Sequence, residues 1–87
     1  MTLTREDLIA RFQQQCKRTP PIWTIYDHPR DIPNAIVVRC WAGIVPHPDV
    51  FLTQTLEGAR AYCRSNGACV RLLRKHHDDP YIIESWI

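Results

Sequence analysis

Ala35-Ile36-Val37-Val38-Arg39-Cys40-Trp41-Ala42 is the stretch whose reading decides the fold. A run of β-branched residues followed by an aromatic one belongs on a strand. Branching at Cβ crowds the preceding turn of a helix, whereas it packs well on a pleated surface. Upstream, Ile22-Trp23-Thr24-Ile25-Tyr26 has the same character and predicts a strand over residues 22–26. Between the two, Asp27-His28-Pro29-Arg30-Asp31-Ile32-Pro33-Asn34 is rich in proline and turn formers and reads as a loop. Downstream, residues 43–49 carry Pro46 and Pro48 and read as a second loop or an irregular hairpin, followed by a short strand over 50–53.

Helical periodicity flanks this strand-rich centre. Leu8, Ile9, Phe12 and Cys16 share one face of a first helix, with Arg5, Glu6, Gln13, Gln14 and Lys17 on the wet side. Thr4 and Asp7 have capping-box spacing, Leu3 and Leu8 have staple spacing, and Pro20-Pro21 forbids continuation. A second helix is predicted from Thr55, with Leu56, Ala59, Tyr62 and Cys63 inward, Glu57 in the first turn and Asn66-Gly67 as its stop. Residues 68–74 then read as a strand, 76–80 as a turn and 81–87 as a closing strand. The order is αβββαββ. Short connections favour antiparallel pairing. The expected fold class is therefore α+β: one domain over residues 1–87, two layers, an antiparallel sheet of about four to five strands and both helices on one face.

Composition narrows the class of function. The chain has 87 residues, and 11 Lys and Arg stand against 9 Asp and Glu, a balance too even to demand a nucleic-acid partner. No apolar run is long enough to span a membrane, and the start of the chain has no apolar signal-peptide core, so a cytoplasmic location is expected. Cys16, Cys40, Cys63 and Cys69 contain no C-x-x-C spacing and are expected to be small buried hydrophobes rather than a disulfide framework.

The stretch Arg71-Leu72-Leu73-Arg74 together with Asp78-Asp79-Pro80-Tyr81-Ile82-Ile83-Glu84-Ser85-Trp86-Ile87 resembles the end of a group of short, uncharacterised proteobacterial and phage proteins. Those close on an Asp-Asp-Pro turn and an Ile-Val-Glu-x-Trp strand. Trp23-Thr24-Ile25-Tyr26-Asp27-His28-Pro29, Asp31-Ile32-Pro33, Val38-Arg39 and Thr55-Leu56-Glu57 with Arg60 resemble earlier elements of the same group. The resemblance implies the same order of elements and a bacterial or phage origin. It implies no activity. With such an origin goes a phage or mobile-element role, including inhibition of a host complex in the manner of anti-CRISPR proteins.

Four constellations bear on chemistry. Cys63, Cys69, His76 and His77 are ligand-type side chains, but they lack the knuckle spacing of structural zinc sites, so no metal and no cofactor is expected. No cysteine or serine sits in a nucleophile motif, and Asp78-Asp79 before Pro80 has the form of a self-bonded turn. The chain is accordingly expected not to be an enzyme and to have no small-molecule substrate. Arg71, Arg74, Lys75, His76 and His77 cluster at a hairpin tip and give the alternative function, a small nucleic-acid-binding accessory protein. Finally, strict alternation puts Tyr81, Ile83, Ser85 and Ile87 on one side of the last strand and Ile82, Glu84 and Trp86 on the other. A strand apolar on both faces needs cover on both, which helices on a single face do not supply. The leading expectation is thus a non-catalytic binding protein acting through protein–protein contact, with a protein partner or a second copy seated on Tyr81, Ile83, Trp86 and Trp41.

Overall fold

Thr4 opens α1 (Arg5–Cys16) as its cap. Its hydroxyl accepts the Asp7 amide at 3.2 Å, and the Asp7 carboxylate accepts the Thr4 amide at 3.1 Å, so two otherwise orphaned donors are satisfied reciprocally. The computed structural model describes residues 2–75 and 78–87. After α1 come β1 (Ile22–Asp27), β2 (Ile36–Ala42), β3 (Val45–Thr53), α2 (Leu56–Ser65), β4 (Arg71–Leu73) and β5 (Ile82–Trp86). All pairings are antiparallel, and the five strands lie in the order β3-β2-β1-β5-β4. This is an α+β fold with the expected αβββαββ order.

The helix-covered face holds the core. Ile25, Ile36 and Val38 pack with Ala59 and Cys63 of α2 and with Ala68 and Trp86, joined at the margin by Trp23, Phe51, Leu56, Tyr62 and Ile83. The Phe51 and Tyr62 rings stack at 4.1 Å between centroids, tying β3 to α2. On α1, Phe12 meets His47 edge-on at 5.0 Å. A cavity of about 290 Å³ lined by Phe12, Tyr62, Trp23 and Cys40 places both helices over this one face. At the end of α2, Gly67 takes φ +95°, the left-handed conformation a side chain rarely adopts, and Ala68 donates back to the Cys63 carbonyl at 3.2 Å.

Two boundaries and one register differ from expectation. Residues 45–49 belong to a strand, so β2 and β3 form a hairpin whose two tip residues are Gly43 and Ile44. Gly43 has φ +62°, which a tight turn with glycine at its first central position requires, and Ile44 stands 90% exposed at the tip. Pro46 and Pro48 are tolerated because β3 is an edge strand, where a missing N–H removes no ladder bond. The predicted strand over 68–74 contracts to three residues, although the Cys69 and Val70 amides still reach the Ile87 carbonyl. Lastly, β5 does not alternate strictly. Ile25 pairs with Glu84 and Tyr26 with Ile82, which leaves Ile83 as the extra residue of a bulge. The bulge turns Ile83 toward the same core as Trp86, against the alternation expected from the sequence.

Candidate functional site

The second face of the sheet is not bare. Val37 is fully buried and Thr24 is 6% exposed, although both alternate with residues of the helix-covered face. The loop over residues 28–35 lies on this side, closed by the His28 amide donating to the Ala35 carbonyl at 3.1 Å and carrying a buried Pro29. His28 takes φ +47°, and its Nδ1 lies 2.6 Å from the Asp27 carboxylate.

Where this loop ends, a cleft of about 810 Å³ opens. Tyr26 of β1 and Arg39 and Trp41 of β2 form its floor, because each alternates with a core residue on its strand. Pro29, Arg30 and Asp31 of the loop make one wall, and Pro80 and Tyr81 ahead of β5 make another. The volume is that of a small-ligand or peptide-anchor site, and the lining is mainly aromatic rings and prolines. Burial pushes the Tyr26 phenol above its ordinary value, so it stays neutral and acts as an apolar plane with one polar tip.

Most charges around the cleft are already engaged. Arg39 is paired with the Asp31 carboxylate. The Asp79 carboxylate accepts the Tyr81 amide at 2.9 Å. Arg30 has no ion-pair partner among the described residues and gives the rim one unmatched positive charge.

The structure separates the four contact residues expected from the sequence into two pairs. Trp41 and Tyr81 line the cleft together. Trp86 is 8% exposed and lies in the chain's own core, and Ile83 is half-buried against the same cluster. The aromatic residue Tyr26 and the loop residues Pro29 and Arg30 were not singled out by sequence reasoning. The available signal was the register: Tyr26, Arg39 and Trp41 occupy the positions of β1 and β2 that skip the core.

Elsewhere, Arg71, Arg74 and Lys75 are exposed, while His76 and His77 lie outside the described residues. Arg74 donates to the carbonyls of Asp78 and Asp79 at 3.3 and 3.4 Å, and the Asp78 carboxylate accepts the Lys75 amide at 2.8 Å. The Asp78-Asp79 pair is thus bonded into its own turn.

A polar pair sits inside the core. Glu84, 3% exposed, accepts two bonds from the Arg60 guanidinium at 2.9 and 3.0 Å and one from the Trp86 indole N–H at 2.6 Å. Burial pushes its carboxyl up, and the bonds from Arg60 and Trp86 with the Arg60 charge outweigh this, holding it below the ordinary value. The Arg64 guanidinium stands 5.8 Å from the centre of the Trp86 ring.

Among the thiols, burial pushes Cys40 up to about 12 and Cys63 up to about 11, so both stay protonated at neutral pH. Cys69 is exposed. Among the described residues, no three of His, Cys, Asp and Glu converge in a group able to hold a metal ion, and no helix is long and apolar enough to cross a membrane. Set against protein-family models, curated proteins and solved structures, the chain finds no match.

Proposed function

We propose that this chain is a non-catalytic binding protein that contacts a protein partner through the cleft formed by Tyr26, Trp41 and Tyr81. The observation that carries the reading is the convergence of three aromatic side chains from three separate parts of the chain on the sheet face opposite the helices. Aromatic planes bury large areas at small entropic cost and form the anchors of protein interfaces. The cleft carries two cations, Arg30 and Arg39, against two carboxylates, Asp31 and Asp79, with Arg39 already paired to Asp31, so it offers a phosphate backbone no net positive charge. The protonated state of Cys40 and Cys63 supports a non-catalytic role for those two thiols. The resemblance of the closing segment to short phage and proteobacterial proteins supports a phage or mobile-element setting, with a host complex as the target.

Affinity capture from a bacterial extract, with Trp41→Ala and Tyr81→Ala beside the parent chain, tests this. A specific protein retained by the parent at high salt and lost with either variant is the expected result; a truncated anchor costs about 2 kcal/mol or more of binding. Capture that is unchanged in both variants, or that disappears on nuclease treatment, rejects the reading.

A further inference from the structure

The edge of the sheet formed by β4 has both a backbone and a side-chain vacancy for a partner. Val70 and Ile87 exchange both backbone bonds, Val70 N–H to Ile87 carbonyl and Ile87 N–H to Val70 carbonyl, each at 2.9 Å. In an antiparallel ladder, bonded and non-bonded pairs alternate. The next pairs in register are Arg71 with Trp86, Leu72 with Ser85 and Leu73 with Glu84. Leu72 is therefore bonded to β5, and the N–H and carbonyl groups of Arg71 and Leu73 point outward, away from the sheet. The side chains here are exposed and apolar: Val70 48%, Leu72 40%, Leu73 72% and Ile87 43%. Such an edge is one that soluble proteins ordinarily blunt. Arg71, Arg74 and Lys75 flank it, and none has an ion-pair partner among the described residues.

We propose that β4 is a strand-addition site that takes an extended, acidic segment of a partner protein as a sixth strand. The outward amides and carbonyls of Arg71 and Leu73 supply main-chain pairing, the leucines supply apolar contact, and the unmatched cations select carboxylates. A second copy of the chain fits poorly, because pairing β4 with itself brings two copies of Arg71 and Arg74 to one short seam. A nucleic acid answers the cations but leaves the leucines and the backbone groups uncovered. This site is separate from the aromatic cleft and stands or falls without it.

The test is a titration of the ¹⁵N-labelled full chain with a short blocked peptide alternating glutamate and valine, compared with its lysine–valine counterpart and with oligothymidylate. Saturable shifts confined to residues 70–75 and 87, with slowed solvent exchange of the Arg71 and Leu73 amides, are expected for the acidic peptide alone. Leu73→Pro removes an outward donor and no bond to β5, so affinity should drop by about tenfold or more. Arg71→Glu should weaken binding similarly, and Trp41→Ala should leave it unchanged. The proposal is overturned by equal binding of the lysine–valine peptide, by oligothymidylate displacing the acidic peptide, by a chain that dimerises through β4 in its place, or by Arg71 and Leu73 amides whose exchange the peptide does not slow.

Discussion

Glu84 shows how much one residue depends on its neighbours. A carboxylate on an apolar closing strand is costly to bury unless its oxygens find donors, and Arg60 and Trp86 provide three bonds. Glu84→Ala strands the buried Trp86 indole N–H and should lower stability by about 1–3 kcal/mol in urea unfolding, whereas Glu84→Gln keeps an acceptor and should cost less. The folded carboxyl titrates below its ordinary value near 4.5, so its stabilising contribution is complete above that value and is lost as pH falls through the folded one. Between pH 5 and pH 3, by this linkage, the parent should lose more stability than Glu84→Gln; parallel losses would contradict the assignment. Each member of this network, Arg60, Glu84 and Trp86, stands in plain view in the sequence. Their meeting was not legible, because it joins a helix to a strand 24 residues further on.

At the scale of elements, local chemistry was easy to read and registers were not. The cap of α1 was legible because Thr4 and Asp7 act within one turn, and Thr55 caps α2 in the same way, accepting the Gly58 amide at 3.0 Å. Thr4→Ala and Thr55→Ala should each cost about 1 kcal/mol, read as a lower denaturation midpoint with unchanged slope. A midpoint unmoved in both variants would show the caps to be incidental. By contrast, the strand identity of residues 45–49 was hidden by Pro46 and Pro48, whose meaning depends on whether a strand lies at the edge or the centre. The bulge at Ile83 was hidden for a related reason. An extra residue changes side without any compositional mark, so strict alternation assigned Ile83 to the wrong face. The cleft inherits both effects: Trp41 and Tyr81 stood out as large aromatics, while Tyr26 and the wall residues Pro29 and Arg30 acquire a role only from register and from where their loop lands.

Across the whole molecule, stability should grade from the middle of the sheet outward. β1 is paired on both sides, with β2 and β5, and contains the fully buried Ile25; β4 is paired on one side and exposed along its length. Amide exchange should therefore be slowest in β1 and the facing residues of β2, approaching the rate of global opening, and fastest at Arg71 and Leu73. Comparable protection in β1 and β4 would contradict this gradient. The two borders of the sheet are also unequal in kind, since β3 carries prolines and β4 does not. In the language of polymer growth, a protein with two adhesive borders propagates, each addition exposing the next acceptor, whereas a border interrupted by Pro46 and Pro48 lacks two of the donors a further strand would use there.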